Sequence, residues 1–209
     1  MKIIPLIFNQ QMVQALVDGR KTVTRRPIRY FRDSSHWSLR INENRLMQSL
    51  DGGKETPTGL SVPFKVGDLI WVRETFCLGR FDEVDAEHPD DRELIIDQCT
   101  GDDYYIARQF AYEEGATELD EVKWKPSIHM PRKASRLTLR VSHVRCERIH
   151  QMTKMDAINE GFDLSNLLGF PRLWFRDVWN SLYSNWDENP WVWVIEFEVI
   201  KSNVDEVAL

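Results

Sequence analysis

Between Gly19 and Arg26 the chain reads Gly-Arg-Lys-Thr-Val-Thr-Arg-Arg, which places one lysine, two threonine hydroxyls and three guanidinium groups within eight residues. Such a set can offer hydrogen bonds and positive charge to one ligand, provided that the backbone lets the side chains converge. A plain extended strand would send Lys21 and Val23 to one side and Thr22 and Thr24 to the other. A turn is therefore a requirement of any reading in which Lys21 and Thr24 act together. The plainer alternative is that both are ordinary exposed residues following a helix. Arg25 and Arg26 suit contacts to a ligand or a phosphate, or else surface ion pairs. A second candidate is the segment from Lys123 to Arg132, where Pro126 and Pro131 frame a short extended piece rich in Trp, Lys, His and Arg. There Trp124 offers a face for a base to stack on, or simply bulk for a core. His129 is either a substrate contact or a hydrogen-bonded structural histidine, and Arg132 a binding group.

The net charge of −6 argues against tight, sequence-independent duplex binding, but its distribution matters more than its sum. From Asp82 to Asp103 ten acidic residues face one basic residue, Arg92, a local balance of −9 that leaves +3 for the rest of the chain. Two basic groups stand out in that remainder, Arg20 to Arg32 and Arg132 to Arg148. A small or single-stranded anionic ligand is compatible with them.

The elements that must position these residues follow from local pattern. Asn9 can cap a helix carrying Met12, Val13, Leu16 and Val17 at helical spacing, and Gly19 falls where a left-handed residue would end it. Residues 29–63 lack a sustained period and read as a long loop or hairpin insertion around Asp51-Gly52-Gly53. Lys65 to Asp68 is a turn into the apolar strand Leu69-Ile70-Trp71-Val72, after which Glu74 can pair with Arg73 or Arg136. The acidic stretch belongs to a second insertion, near 82–120, with Tyr104 to Ala107 strand-like inside it. From Ser135 to Arg148, Leu137, Leu139 and Val141 alternate with Arg136, Thr138 and Arg140, and the alternation slips at Ser142-His143. Thr153 and Asp156 form a capping box that opens a short helix ending at Glu160, with Gly161 as its stop. A second helix spans about 171–183, with Leu173, Trp174, Val178, Trp179 and Leu182 expected on its buried side. Trp191 to Ile200 is a long closing strand, and residues 201–209 read as a frayed tail.

Short strands with few helices and no βαβ alternation imply an α+β fold, a small mixed β-barrel with peripheral helices, as a single domain over residues 1–200. The 42% of hydrophobic residues suffices for a core, and the eight tryptophans read mainly as its filler. Cys77, Cys99 and Cys146 are odd in number and widely spaced, which argues against disulfides and zinc. His143 and His150 lack ligand spacing, so no metal and no cofactor is expected. No run is long and apolar enough for a membrane span or a signal peptide, and a cytoplasmic location follows as the expectation.

The order Gly19, Lys21, Thr24, Arg26 fits a Gly-x-Lys-x-x-Thr-x-Arg pattern and resembles the ASCH family of PUA-like barrels. Three further blocks agree with its longer bacterial and phage-associated members: Gly67-Asp68 leading to Trp71-Val72-Arg73-Glu74-Thr75, the Trp124–Arg132 loop, and the strand from Pro190 to Phe197. The resemblance implies a PUA-like barrel and, by likeness to its smallest members, an amidohydrolase of N4-acetylcytidine-like nucleosides. It would use Lys21, Thr24 and Glu160 as catalytic residues. Arg25, Arg26, Trp124, His129 and Arg132 would bind the substrate, a modified nucleoside or single-stranded RNA. In that scheme a desolvated Lys21 takes the proton of Thr24, the nucleophile, while Glu160 orients Lys21 or protonates the leaving amine. The alternatives are a noncatalytic RNA or modified-nucleotide binding module, and a nuclease acting on RNA.

Overall fold

Segments 69–73 and 191–200 are dense in β-branched and aromatic residues and form strands, as does 138–148, which opens on alternating apolar and polar positions. The computed structural model describes residues 1–29, 37–78, 94–96, 103–105, 125–165 and 169–208. Along the chain these form β1 (Ile3–Ile7), α1 (Gln10–Val17), β2 (Val23–Pro27), β3 (Trp37–Asn42), β4 (Arg45–Leu50), β5 (Thr56–Ser61) and β6 (Leu69–Arg73). They continue with β7 (Cys77–Leu78), β8 (Leu94–Ile96), β9 (Asp103–Tyr105), β10 (Thr138–Arg148), α2 (Lys154–Asn159), α3 (Pro171–Tyr183), β11 (Trp191–Ile200) and α4 (Val204–Val207). Short 3-10 turns connect several of them. The arrangement is mixed α+β with few helices, and among the described residues no closed barrel is traced.

The chain divides into two compact units. Unit 1 holds Met1, Asp18–Asp68 and Arg140–Val199; unit 2 holds Lys2–Val17, Leu69–Leu139 and Ile200–Leu209. In unit 1, β10 neighbours β11, and β11 pairs antiparallel with β2, so that Thr24 lies opposite Ile195 and Arg25 opposite Val194. The same unit contains the antiparallel sheet β3-β4-β5, which gives the 29–63 insertion a hairpin core. Positive φ angles at Glu43 and Asn44 make the first of its turns, and those at Asp51 and Gly52 the second.

The unit 1 core gathers Val23, Ile149, Met152, Ala157, Phe175, Trp179, Trp186, Val192 and Val194. Helix α3 occupies the expected residues; Trp179 is buried and Trp174 packs against the core as expected, but the two leucines are not on the buried side. Pro171, Phe175 and Trp179 are buried, whereas Leu173 is 47% exposed and Leu182 48%. The stripe Pro171, Phe175, Trp179 follows positions four apart and faces Trp186 beyond the helix, and the aromatic contacts of Phe175 with Trp179 and Trp186 select it over the aliphatic positions.

In unit 2, β1 pairs parallel with β6, whose Leu69 to Val72 are buried. Glu74, 5% exposed, receives hydrogen bonds from Nε and Nη2 of Arg136, each 3.1 Å, so the expected pair forms there. Along residues 137–143, of which 140–143 belong to unit 1, Leu137, Leu139 and Val141 point inward as their alternation requires, and Arg140, Ser142 and His143 are exposed. Thr138, expected on the outer side, is nevertheless fully buried because its hydroxyl donates to the Ser202 carbonyl at 2.8 Å. That contact belongs to a second correction: residues 201–208 are no frayed tail. Asn203 caps α4, its amide bonds the carbonyls of Arg132, Lys133 and Ser135, and Val204 is buried with Leu69 and Trp71. Four residues form a helix here because tertiary contacts supply what so short a helix lacks by itself.

Exchanging Phe175 for Ala should cost about 3–5 kcal/mol in denaturant unfolding, while Leu173→Ala should change stability by less than about 1 kcal/mol. Equal losses would contradict the observed buried stripe.

Candidate active site

The site is built where the chain leaves α1. Asn9 caps that helix, its side chain accepting from the Met12 amide at 2.8 Å, and Gly19 takes φ 72°, a conformation that favours glycine. Beyond it Lys21 forms an isolated antiparallel bridge with Glu160, the Thr22 amide donates to the Asn159 carbonyl at 2.8 Å, and the Phe197 amide donates to the Thr22 carbonyl at 3.0 Å. Residues 21 and 22 are thus extended, wedged between the end of α2 and the strand β11. Alternation then places Lys21, Val23 and Arg25 on one face. Val23 enters the core beside Ala157 of α2, while Lys21 and Arg25 flank it and meet at Glu160.

Glu160 is the C-cap residue of α2, and Gly161, at φ 109°, ends the helix as its position suggests. The N-cap box also forms: Thr153 Oγ accepts from the Asp156 amide at 3.1 Å, and Asp156 Oδ2 accepts from the Thr153 amide at 2.9 Å. The helix is thereby pinned at both ends with one carboxylate at each. Glu160 Oε2 accepts from Lys21 Nζ at 2.5 Å, and its Oε1 from Arg25 Nη1 at 3.2 Å. Lys21 Nζ also donates to the Glu160 carbonyl at 3.0 Å. Arg25 is held further by Glu147 Oε1, 3.1 Å from Nε and 2.8 Å from Nη2, and by Asp156 Oδ1 at 3.0 Å. Arg145 closes the group through Glu147, Asp156 and Glu196.

Lys21 and Glu160 are essentially without solvent contact, and Arg25 is 3% exposed. Two charges at this depth lose their hydration, and the loss is offset only because the remaining lone pairs and donors are also used. Burial lowers the Lys21 proton affinity below that of an ordinary lysine; Glu160 opposes the shift, and Arg26 and Arg25 reinforce it. Arg25 also suffers from burial, but Glu160 and Glu147 outweigh it and bind its proton more firmly than usual. Burial would raise the Asp156 carboxyl too, yet the Thr153 hydrogen bonds and Arg25 hold it at about 2. Cys146, on β10, is pushed up to about 11 by burial, which makes its thiol a poor nucleophile at neutral pH.

A cavity of about 270 Å³ is lined by Thr22, Val23, Ser142, Asp156, Asn159, Glu196 and Phe197; Lys21, Thr24 and Glu160 are not among its lining residues. Thr22 follows Lys21 in the chain and Asn159 precedes Glu160. The lining carries two carboxylates, two hydroxyls, an amide and an aromatic ring, and no cationic side chain.

Lys21 and Glu160 are therefore brought together, as the amidohydrolase scheme requires. Thr24 is 2% exposed, and among the described residues no hydrogen bond joins it to Lys21, whose amine is turned to Glu160. Arg25 is enclosed by three carboxylates, an environment suited to holding Glu160 rather than to meeting a ligand. Arg26 is half-buried opposite Trp193. His129 and Arg132 belong to unit 2, where His129 is exposed and Arg132 pairs with Asp205. Trp124 lies outside the described residues. Glu147, Asp156 and Arg145 were not anticipated as site residues. Arg145 and Glu147 sit two apart on a strand, but nothing local announces that β10 delivers them to Arg25. Among the described residues no group of His, Cys, Asp and Glu is placed to hold a metal ion, and no helix is long and apolar enough to cross a membrane. Compared with models of known protein families, with curated proteins and with solved structures, the chain matches none.

A carboxyl lowered in the folded state adds stability above its ordinary value of 3.8, and that stability is lost as pH falls towards about 2. Urea unfolding of the Asp156→Asn variant should show a lower stability at neutral pH and a flatter decline between about pH 4 and pH 2. Parallel curves for variant and parent would refute the assignment.

Proposed function

We propose that this protein hydrolyses the N4-acyl amide of acylated cytosine nucleosides, N4-acetylcytidine being the simplest. The observation that carries the reading is the 2.5 Å contact between Lys21 Nζ and Glu160 in a site closed to water. A lysine so buried gives up its proton more readily than an exposed one, which suits it to act as a base. The likeness of Gly19 to Arg26 to the ASCH pattern, with its PUA-like barrel, supports the same reading.

In the reaction Lys21, in its neutral form, accepts the Thr24 hydroxyl proton as Oγ adds to the acyl carbonyl. The acyl C–N bond then breaks, with the proton passing to N4, and cytidine leaves. Water cleaves the resulting Thr24 ester and releases the carboxylic acid. Arg26 or backbone N–H groups at the turn stabilise the oxyanion, and Glu160 orients Lys21. Thr24 faces away from Lys21 on the extended segment and makes no hydrogen bond to it, so the scheme requires residues 21–24 to turn when substrate binds and bring the hydroxyl to the amine.

The charge arrangement favours a nucleoside over the alternative, an RNA-binding or RNA-cleaving module. Arg20, Arg25 and Arg145 are each taken up by carboxylates, and Asp156 and Glu196 face the cavity, so phosphates find little attraction there. Incubation with N4-acetylcytidine should release cytidine and acetate, and Lys21→Ala should lower kcat/KM by at least about 100-fold in protein that remains folded. Short RNA should be neither cut nor retained. Absence of turnover, or unchanged turnover in Lys21→Ala, would overturn the reading.

A further inference from the structure

Arg25 has no role in the scheme above, yet it is the most heavily engaged side chain of the site. Its guanidinium spans from Glu147 through Asp156 to Glu160, with no solvent contact of its own side chain. Of the Glu160 carboxylate it takes one oxygen, and Lys21 takes the other. We propose that Arg25 is a positioning residue which divides the Glu160 carboxylate with Lys21, fixes its orientation, and limits how firmly Glu160 can hold the Lys21 ammonium.

A carboxylate paired with lysine alone would bind the ammonium strongly and keep Lys21 protonated, a poor state for a base. A guanidinium on the second oxygen satisfies part of that charge and also repels the ammonium directly. Arginine suits the position because its planar fork meets several carboxylates at once and stays charged when buried. Asp156 gives the arrangement its rigidity, since the carboxylate that completes the N-cap box of α2 also receives Arg25, while Glu160 stands at the other end of that helix. The charged groups facing this core come from every neighbouring element: Lys21 just before β2 and Arg26 beside Arg25 on it; Arg145 and Glu147 on β10, with His143 3.7 Å from Glu196; Glu196 on β11; and Asp156 on α2 with Glu160 at its C-cap. Removing Arg25 takes away its repulsion of the ammonium and leaves the carboxylates in excess around Lys21, and both effects raise its proton affinity.

The inference rests on the proposed hydrolysis only for its catalytic consequence, and its test reads Lys21 itself. In full-length protein with 13C-labelled lysine side chains, the Lys21 Cε resonance is assigned by its loss in Lys21→Arg and followed through a pH titration. In Arg25→Gln the Lys21 midpoint should rise by about one pH unit, a tenfold gain in proton affinity, and Arg25→Lys should recover part of the change. An unmoved or lower midpoint in folded Arg25→Gln would overturn the proposal. Should that variant not fold, Glu147→Gln carries the test. Relieved of Glu147, Arg25 bears more fully on Glu160, and Lys21 should titrate at lower pH; an unmoved midpoint is again fatal. With N4-acetylcytidine as substrate, the alkaline shift should appear in the pH dependence of kcat/KM. If nothing is hydrolysed while the resonance moves, the hydrolase reading fails and the role of Arg25 stands.

Discussion

The arrangement of unit 1 turns on a single carboxylate. Glu160 lies where water does not reach, and an unpaired charge in that place would cost several kcal/mol. Its two oxygens therefore need cationic partners, and Lys21 and Arg25 supply one each. Because those cations are buried as well, their own remaining donors must be used, which draws in the Glu160 carbonyl, Glu147 and Asp156. The requirement spreads outward until it meets solvent at Arg145 and Glu196. Charge satisfaction thus ties α2, β2, β10 and β11 into one object, in parallel with the apolar core around Val23 and Trp179.

Buried ion pairs are rarely the most stable choice at a given volume, since apolar residues of similar shape often do as well or better. A fold that keeps this one gains either specificity of packing or chemistry. The lowered proton affinity of Lys21 and the fixed helix end are the features on which the proposed chemistry builds. The same network explains why a segment so rich in arginine presents little positive charge: Arg20 answers Asp18 and the Gly161 carbonyl, and Arg25 answers three carboxylates.

What was legible in the sequence was local. The capping box at Thr153 and Asp156, the glycine stop at 161, the span of α3 and the long strand from Trp191 are set by short-range chemistry, and each formed where its residues placed it. The contact of Lys21 with Glu160, 139 positions apart, was reachable only through the ASCH-like pattern, because no periodicity links them. On α3 the expectation holds for Trp179 and Trp174 and fails for Leu173 and Leu182, because leucines weigh more in an apolar pattern than the aromatic neighbours that select Phe175. Residues 201–208 looked like a tail because a four-residue helix has no signal apart from the contacts that hold Asn203 and Val204. Glu147 and Asp156 were hidden for a related reason: a charged residue on a strand or in a cap reads as solvated until its partner strand is known.

The most direct test of this account is a double-mutant cycle on the pair at its centre, using Lys21→Met, Glu160→Gln and their combination in equilibrium unfolding. Breaking the pair from either side should cost about 3–5 kcal/mol, and the double variant should recover about 2 kcal/mol or more of the summed losses, because neither charge is then left without its partner. Additive losses within about 0.5 kcal/mol would mean that the two side chains do not act as a unit, and the account would fall.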